Sequence, residues 1–157
     1  MIKRKAEESD LDAILKLFVK SIQETCKNDY STEQISAWIG SIEDRGKWLD
    51  RIREQYFVLV EVDDRLAGFA SLKNRSHIDL LYVDPQFQRK GIAKYLLNEL
   101  LRSTAEAKIT THSSITARPF FEKNGFDVVK ENRFKLRSIK VSNYKMSLDR
   151  KVQNTTH

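Results

Sequence analysis

Apolar positions change their spacing repeatedly along the chain, and each change predicts an element. Leu11, Ile14, Leu15, Phe18, Val19 and Ile22 recur every three or four residues, predicting an amphipathic helix capped by Ser9 or Asp10. Ser31 or Thr32 opens a second helical stretch, "TEQISAWIG", which ends near Gly40, and "DRGKWLDRIREQ" reads as a third. The spacing then tightens to strand character. Residues 2 to 5, "YFVLVEV", "RLAGFASLK", "SHIDLLYV" and "KITTHS" all read as strands, with Asp63-Asp64 turning the second into the third. Ile92, Leu96, Leu97, Leu100 and Leu101 restore helical spacing between the last two of these strands. "TARPFFEKNG" is a short helix with Pro119 in its first turn and Gly125 where a left-handed C-cap belongs. "FDVVKENRFKLR" and "IKVSNYKMSL" close the pattern as two antiparallel strands.

This order predicts an α/β (α+β) fold: a central mixed, mostly antiparallel, twisted sheet of about six to seven strands with helices on both faces. With no repeats or Pro/Gly-rich linkers, residues 1–149 are expected to form a single domain, followed by a disordered polar tail at 150–157. Cys26 is the only cysteine, so an internal disulfide is impossible and a reducing, cytoplasmic setting fits. No apolar run has the length of a membrane span, and "MIKRKAEESDLD" lacks a signal peptide's apolar core. The net charge of +6 is spread among acids. It reads as solvated basic faces plus a pocket for an acidic cofactor, in preference to a nucleic-acid-binding module.

One stretch departs from packing logic. "VDPQFQRKGIAKYLLNELL" places a basic, glycine-centred turn between an apolar strand and an aliphatic helix. Gly91 permits positive φ and leaves backbone N–H groups open to an anion. The first turn of the helix adds unpaired donors and a partial positive charge. Arg89, Lys90 and Lys94 surround that cradle, which suits a pyrophosphate.

Residues Gln88 to Ala93, "QRKGIA", resemble the Q/R-x-x-G-x-G/A signature of the GNAT (GCN5-related N-acetyltransferase) superfamily. "SITARPFFEKNGF" resembles its second hallmark, N-x-x-A-x-x-x-Y-E-K-x-G-F. Ser114 replaces the asparagine and Phe121 the tyrosine. "NDYSTEQISAW" and "VSNYKM" are similar to an uncharacterised bacterial branch of that superfamily. The resemblance implies the GNAT fold, no metal, and transfer of an acetyl group from acetyl-CoA to an amine of a small molecule or protein. Gln88, Arg89, Lys90, Gly91, Ile92, Ala93 and Lys94 would then hold the pyrophosphate, with Ser114 and Phe121 also bordering the cofactor. Leu81, Tyr82 and Val83 would pair with the pantetheine arm, the Leu81 N–H would donate to the oxyanion, and a bulge would splay this strand from "KITTHS". Relatives often pair through terminal strands, so a homodimer is one option.

Catalytic groups are less determined. Alternation puts His77, Asp79 and Leu81 on one face, and His77 falls where several family members carry a catalytic glutamate. Its imidazole could accept the amine's proton, or be a plain strand-end side chain. Asp79 could orient His77, attract a cationic substrate, or simply be satisfied by backbone donors. Phe121 has no proton for the leaving thiolate; Tyr144, Ser114 or water could supply it. In the acceptor region Tyr30 is the best candidate to line a substrate site. Trp38 and Trp48 are the other aromatics there, and Trp38 with Ile35 and Ile39 also fits a buried helix face. Glu24, Asp29 and Glu33 could attract an amine or be surface charge. The rival reading, motivated by Phe121, is a non-catalytic acyl-CoA-binding sensor.

Overall fold

The computed structural model describes residues 1–151, whose elements run β1 (Ile2–Lys5), α1 (Leu11–Thr25), α2 (Thr32–Ile39), α3 (Arg45–Glu54), β2 (Tyr56–Val62), β3 (Arg65–Lys73), β4 (His77–Val83), α4 (Ile92–Arg102), β5 (Lys108–Ser113), α5 (Arg118–Lys123), β6 (Asp127–Leu136) and β7 (Ile139–Asp149). The strands form one sheet in the order β1-β2-β3-β4-β5-β7-β6. Every neighbouring pair is antiparallel except β4 and β5, which α4 joins by a crossover. The mixed sheet with helices on both faces is thus as expected.

Strand alternation divides the core in two. Phe57, Leu59 and Phe69 pack against Leu11, Ile14 and Phe18 of α1 and Trp48 of α3. Val58, Val60, Ala70 and Leu72 point the other way, against Ile92, Leu96, Leu97 and Leu100 of α4. β2 and β3 are therefore buried on both faces, which accounts for their unbroken apolar runs. The Asp63-Asp64 hairpin uses positive φ at both positions, 51° and 61°, which matches the strand twist.

Three local expectations change. Neither Ser9 nor Asp10 caps α1 through its side chain. Asp10 instead accepts the Glu7 N–H at 2.8 Å and pairs with Arg4 at 2.7 Å, tying the helix start to β1. Val19 is only half-buried, while Leu17 is buried, because α1 is covered from more than one side. The tail does not start at residue 150: the Arg150 N–H donates to the Ala107 carbonyl, and its guanidinium donates to those of Leu101, Thr104 and Glu106. Residues 152–157 of the expected tail lie outside the described residues. Among the described residues no helix is long and apolar enough to cross a membrane.

Candidate active site

β4 carries the feature that makes a site. Leu72 of β3 pairs with Ile78, but Ser71 pairs with Leu80, so Asp79 is one extra residue in β4. Such a bulge bends its strand and disrupts the ladder locally. On the other edge, β4 pairs with β5 only at His77↔Thr110 and Ile78↔Thr111. Beyond that point the two strands part, and the Thr111 hydroxyl closes the vertex by donating to the Ile78 carbonyl at 3.0 Å. The Asp84 N–H donates to Ala67 on the β3 side. By the two-residue period of strand backbone, the N–H groups of Leu81 and Val83 face the gap.

The bulge also corrects the face assignment. Leu81 packs with Ile78 and Val83 on the α4 side, whereas the Asp79 carboxylate reaches α3. His77, Asp79 and Leu81 do not share a face, because the extra residue shifts the alternation.

At the other end of the gap, Gly91 caps α4 with φ 77° and ψ 10°, and no side chain takes the capping role. Arg89 also has positive φ, 62°. The Tyr95 N–H makes the first intrahelical bond, to the Gly91 carbonyl. The N–H groups of Ile92, Ala93 and Lys94 are therefore first-turn orphans. A Cβ built on Gly91 meets nothing within 4 Å, so no neighbouring side chain crowds the turn at that point. Arg89, Lys90 and Lys94 are exposed around it, and the Ile92 side chain is buried beneath. These donors fit an anion of diphosphate size.

A cavity of about 600 Å³ runs from this loop through the sheet. Gln88, Ala93, Leu81, Val83, Ala117 and Phe121 line it on the α4–α5 side; Phe18, Tyr30, Trp38, Trp48, Tyr82 and Val141 line it on the α1–α3 side. Walls drawn from both faces of one sheet mean that the β4–β5 gap is a passage between them. The Gln88 amide donates to the Val83 carbonyl at 3.3 Å, holding the loop to the strand.

The sequence candidates distribute unevenly around this passage. Asp79 lines it, but its carboxylate is engaged, accepting from Gln55 at 2.9 Å and pairing with Arg51 at 3.2 Å. His77 does not line it. The imidazole sits at the paired end of β4, its Nδ1 2.8 Å from the Thr110 hydroxyl and its ring 4.9 Å from that of His112. Burial, reinforced by His112, holds the His77 pKa below the usual histidine value. Tyr144 does not line the passage either; its ring packs toward α5 beneath the Arg118 guanidinium, 4.6 Å away. Phe121 is buried against Phe120 and Phe126. Ser114 lines the cavity and accepts the Ala117 N–H at 3.0 Å, leaving its own hydroxyl hydrogen free to donate.

Tyr30 and Trp38 both line the cavity on its α1–α3 side, in edge contact at 5.4 Å. The Tyr30 hydroxyl accepts the Ile115 N–H at 2.9 Å and donates to the Ser142 carbonyl at 3.0 Å, and burial pushes its pKa up to about 12. It ties the β5–α5 loop to β7 and does not titrate near neutrality. Glu24, Asp29 and Glu33 are absent from the lining. Sequence reading missed His112, Lys47, Arg51 and Arg137, which do line it. Only His112 carried a signal, lying next to Thr111 on the strand expected to splay.

The family model described as "Acetyltransferase (GNAT) domain" matches residues 26–148. An uncharacterised N-acetyltransferase, YafP of Escherichia coli K12, is 33% identical over 143 residues, 91% of this chain and 92% of that protein. A spermidine N(1)-acetyltransferase of Thermoplasma acidophilum is 30% identical over 140 residues, covering 80% and 87%. The crystal structure of a GCN5-related N-acetyltransferase from Rhodopseudomonas palustris superposes with TM-score 0.91 at 28% identity, covering 94% of each chain.

Proposed function

The chain belongs to the GNAT acetyltransferase family, and from that premise we propose that it moves an acetyl group from acetyl-CoA directly to a primary amine of a small molecule or protein. One observation carries the reading: the β4–β5 passage joins an anion cradle on one face of the sheet to an aromatic chamber on the other. A donor and an acceptor entering from opposite faces would meet inside it, held in the relative orientation that transfer needs.

The cradle residues Arg89, Lys90, Gly91 and Lys94, with the first-turn N–H groups of α4, would hold the diphosphate of acetyl-CoA. When bound, acetyl-CoA supplies the activated thioester carbonyl. Leu81 and Val83 present backbone groups to the gap, and the Leu81 N–H serves as the donor for the carbonyl oxygen as charge builds on it. Ser114 is the proton donor for the departing thiolate, since Phe121 carries no proton and Tyr144 faces away. The imidazoles accept the amine's proton, His112 at the cavity and His77 behind it. Asp79, fixed by Arg51 and Gln55, is an orienting charge and not the base.

Release of coenzyme A, followed with a thiol reagent over a panel of primary amines, tests the proposal, together with a mass gain of one acetyl group on the acceptor. Binding of acetyl-CoA with no release for any amine would instead favour the sensor reading, which the buried Phe121 supports.

A further inference from the structure

The acceptor side of the passage has an uneven charge balance. Among its lining residues are three cations, Lys47, Arg51 and Arg137, and a single carboxylate, Asp79. Arg51 is paired with Asp79 at 3.2 Å and lies 4.8 Å from the centre of the Trp48 ring. Arg137 donates to Glu43 and to the Gly40 carbonyl, both at 2.8 Å. Lys47, one turn before Arg51 on α3, makes no ion pair among the described residues. The chamber therefore offers a cation that lacks a counter-charge, and its one acid is already satisfied. Around these charges stand Phe18, Tyr30, Trp38 and Trp48, an apolar wall suited to a flat or branched body.

We infer that the acceptor is a small amine bearing a carboxylate on an apolar body, its anion held by Lys47 with Arg51 behind it. The inference rests on the acetyl-transfer reading above and adds the substrate class. A polyamine, the kind of substrate named for the Thermoplasma acidophilum relative, would bring further cations toward Lys47 and Arg51 and find no free carboxylate. The same field favours the chemistry of an amino acid. Nearby positive charge disfavours the ammonium form of the incoming nitrogen, leaving more of it as the free base that attacks. That lightens the demand on His112 and His77.

The test uses the full chain, with phenylalanine and phenethylamine as acceptors that differ by one carboxylate, and spermidine as the polycation. Acetyl-CoA binding is first measured by calorimetry. Coenzyme A release then gives kcat and KM for each amine with the natural chain, Lys47→Ala and Lys47→Arg. A charge-assisted contact corresponds to a preference of about tenfold or more in kcat/KM for phenylalanine over the other two. Lys47→Ala should raise KM for phenylalanine about tenfold with kcat little changed, leave phenethylamine within about twofold, and be rescued by arginine. Equal or better use of phenethylamine or spermidine overturns the inference, as does no turnover of phenylalanine by a protein that binds acetyl-CoA. In both cases donor binding still stands. Failure to bind acetyl-CoA removes the acetyl-transfer reading itself.

Discussion

Gly91 separates folding from binding in one residue, and Gly91→Ala and Gly91→Asp are the variants that show it. The residue sits at φ 77°, where an L side chain costs about 1–2 kcal/mol. A Cβ there meets nothing within 4 Å, so no packing cost is added. Both variants should therefore lose about 1–2 kcal/mol of stability, or about 2–8 °C in Tm for a chain of this size. Their binding should diverge. In the proposed cradle the added alanine methyl would crowd the diphosphate and weaken one of its contacts with the first turn of α4. Weakening such a charge-assisted bond by about 1.5–3 kcal/mol lowers acetyl-CoA affinity about 10- to 100-fold. The aspartate adds a like charge near the diphosphate, worth up to about 4 kcal/mol at 4 Å in a surface environment. Its affinity should fall further, and part of the loss should disappear in high salt. Calorimetry with acetyl-CoA at two ionic strengths, beside thermal melts, gives both numbers. Natural affinity in both variants, with the Tm loss present, would show that the diphosphate binds elsewhere.

Other perturbations address single contacts. Tyr30→Phe leaves the Ile115 N–H and Ser142 carbonyl without their shared partner, so it should cost about 1–3 kcal/mol in urea unfolding and raise the acceptor KM; an unchanged midpoint would show that the bridge contributes nothing. Ser114→Ala should lower kcat at least tenfold while acetyl-CoA affinity stays within about twofold, and a natural kcat would leave the thiolate's proton to water. The His77 pKa is held below its unfolded value of about 6.5, so between those two values the unfolded chain binds more protons. Stability from this site is present above about pH 6.5 and is lost as pH falls toward the folded pKa; His77→Gln should flatten that loss, and identical pH profiles of the melting temperature would refute it.

Most elements were legible in the sequence because each rests on a local signal: Ser31 at the start of α2, the Asp63-Asp64 turn, the stripe on α4, the glycine ahead of it. The turn ahead of α4 belongs to the same class, since a left-handed glycine and a helix start are consecutive residues. What escaped was long-range. Alternation could not place Leu81, because one inserted residue at Asp79 is set by how β4 pairs with β3 and leaves no mark in β4 itself. Asp79 reads as a free acid until α3 folds over it and brings Arg51 and Gln55, from 24 to 28 positions earlier in the chain. Tyr144 sits in a strand whose register, not its composition, turns the ring toward α5.

The same division holds for function. The donor side is written in contiguous residues, so the family signature and the physics of a helix terminus agree there. The acceptor side is assembled from α2, α3 and the β6–β7 turn, and no two of its cations are neighbours in sequence. Lys47 and Arg51 share a face of α3 because they are four apart, while Arg137 joins them only through the hairpin that returns over the cavity. A chamber gathered this way can change its charge by single substitutions without touching the cradle. On the proposed reading the turn at Gly91 would fix the donor, whereas the acceptor would follow from which charges α3 and the last hairpin bring to the passage. Exchanging Lys47 for glutamate should then shift preference from phenylalanine toward phenethylamine and spermidine at constant acetyl-CoA affinity. A change in donor affinity alone would show that the two sides are not independent.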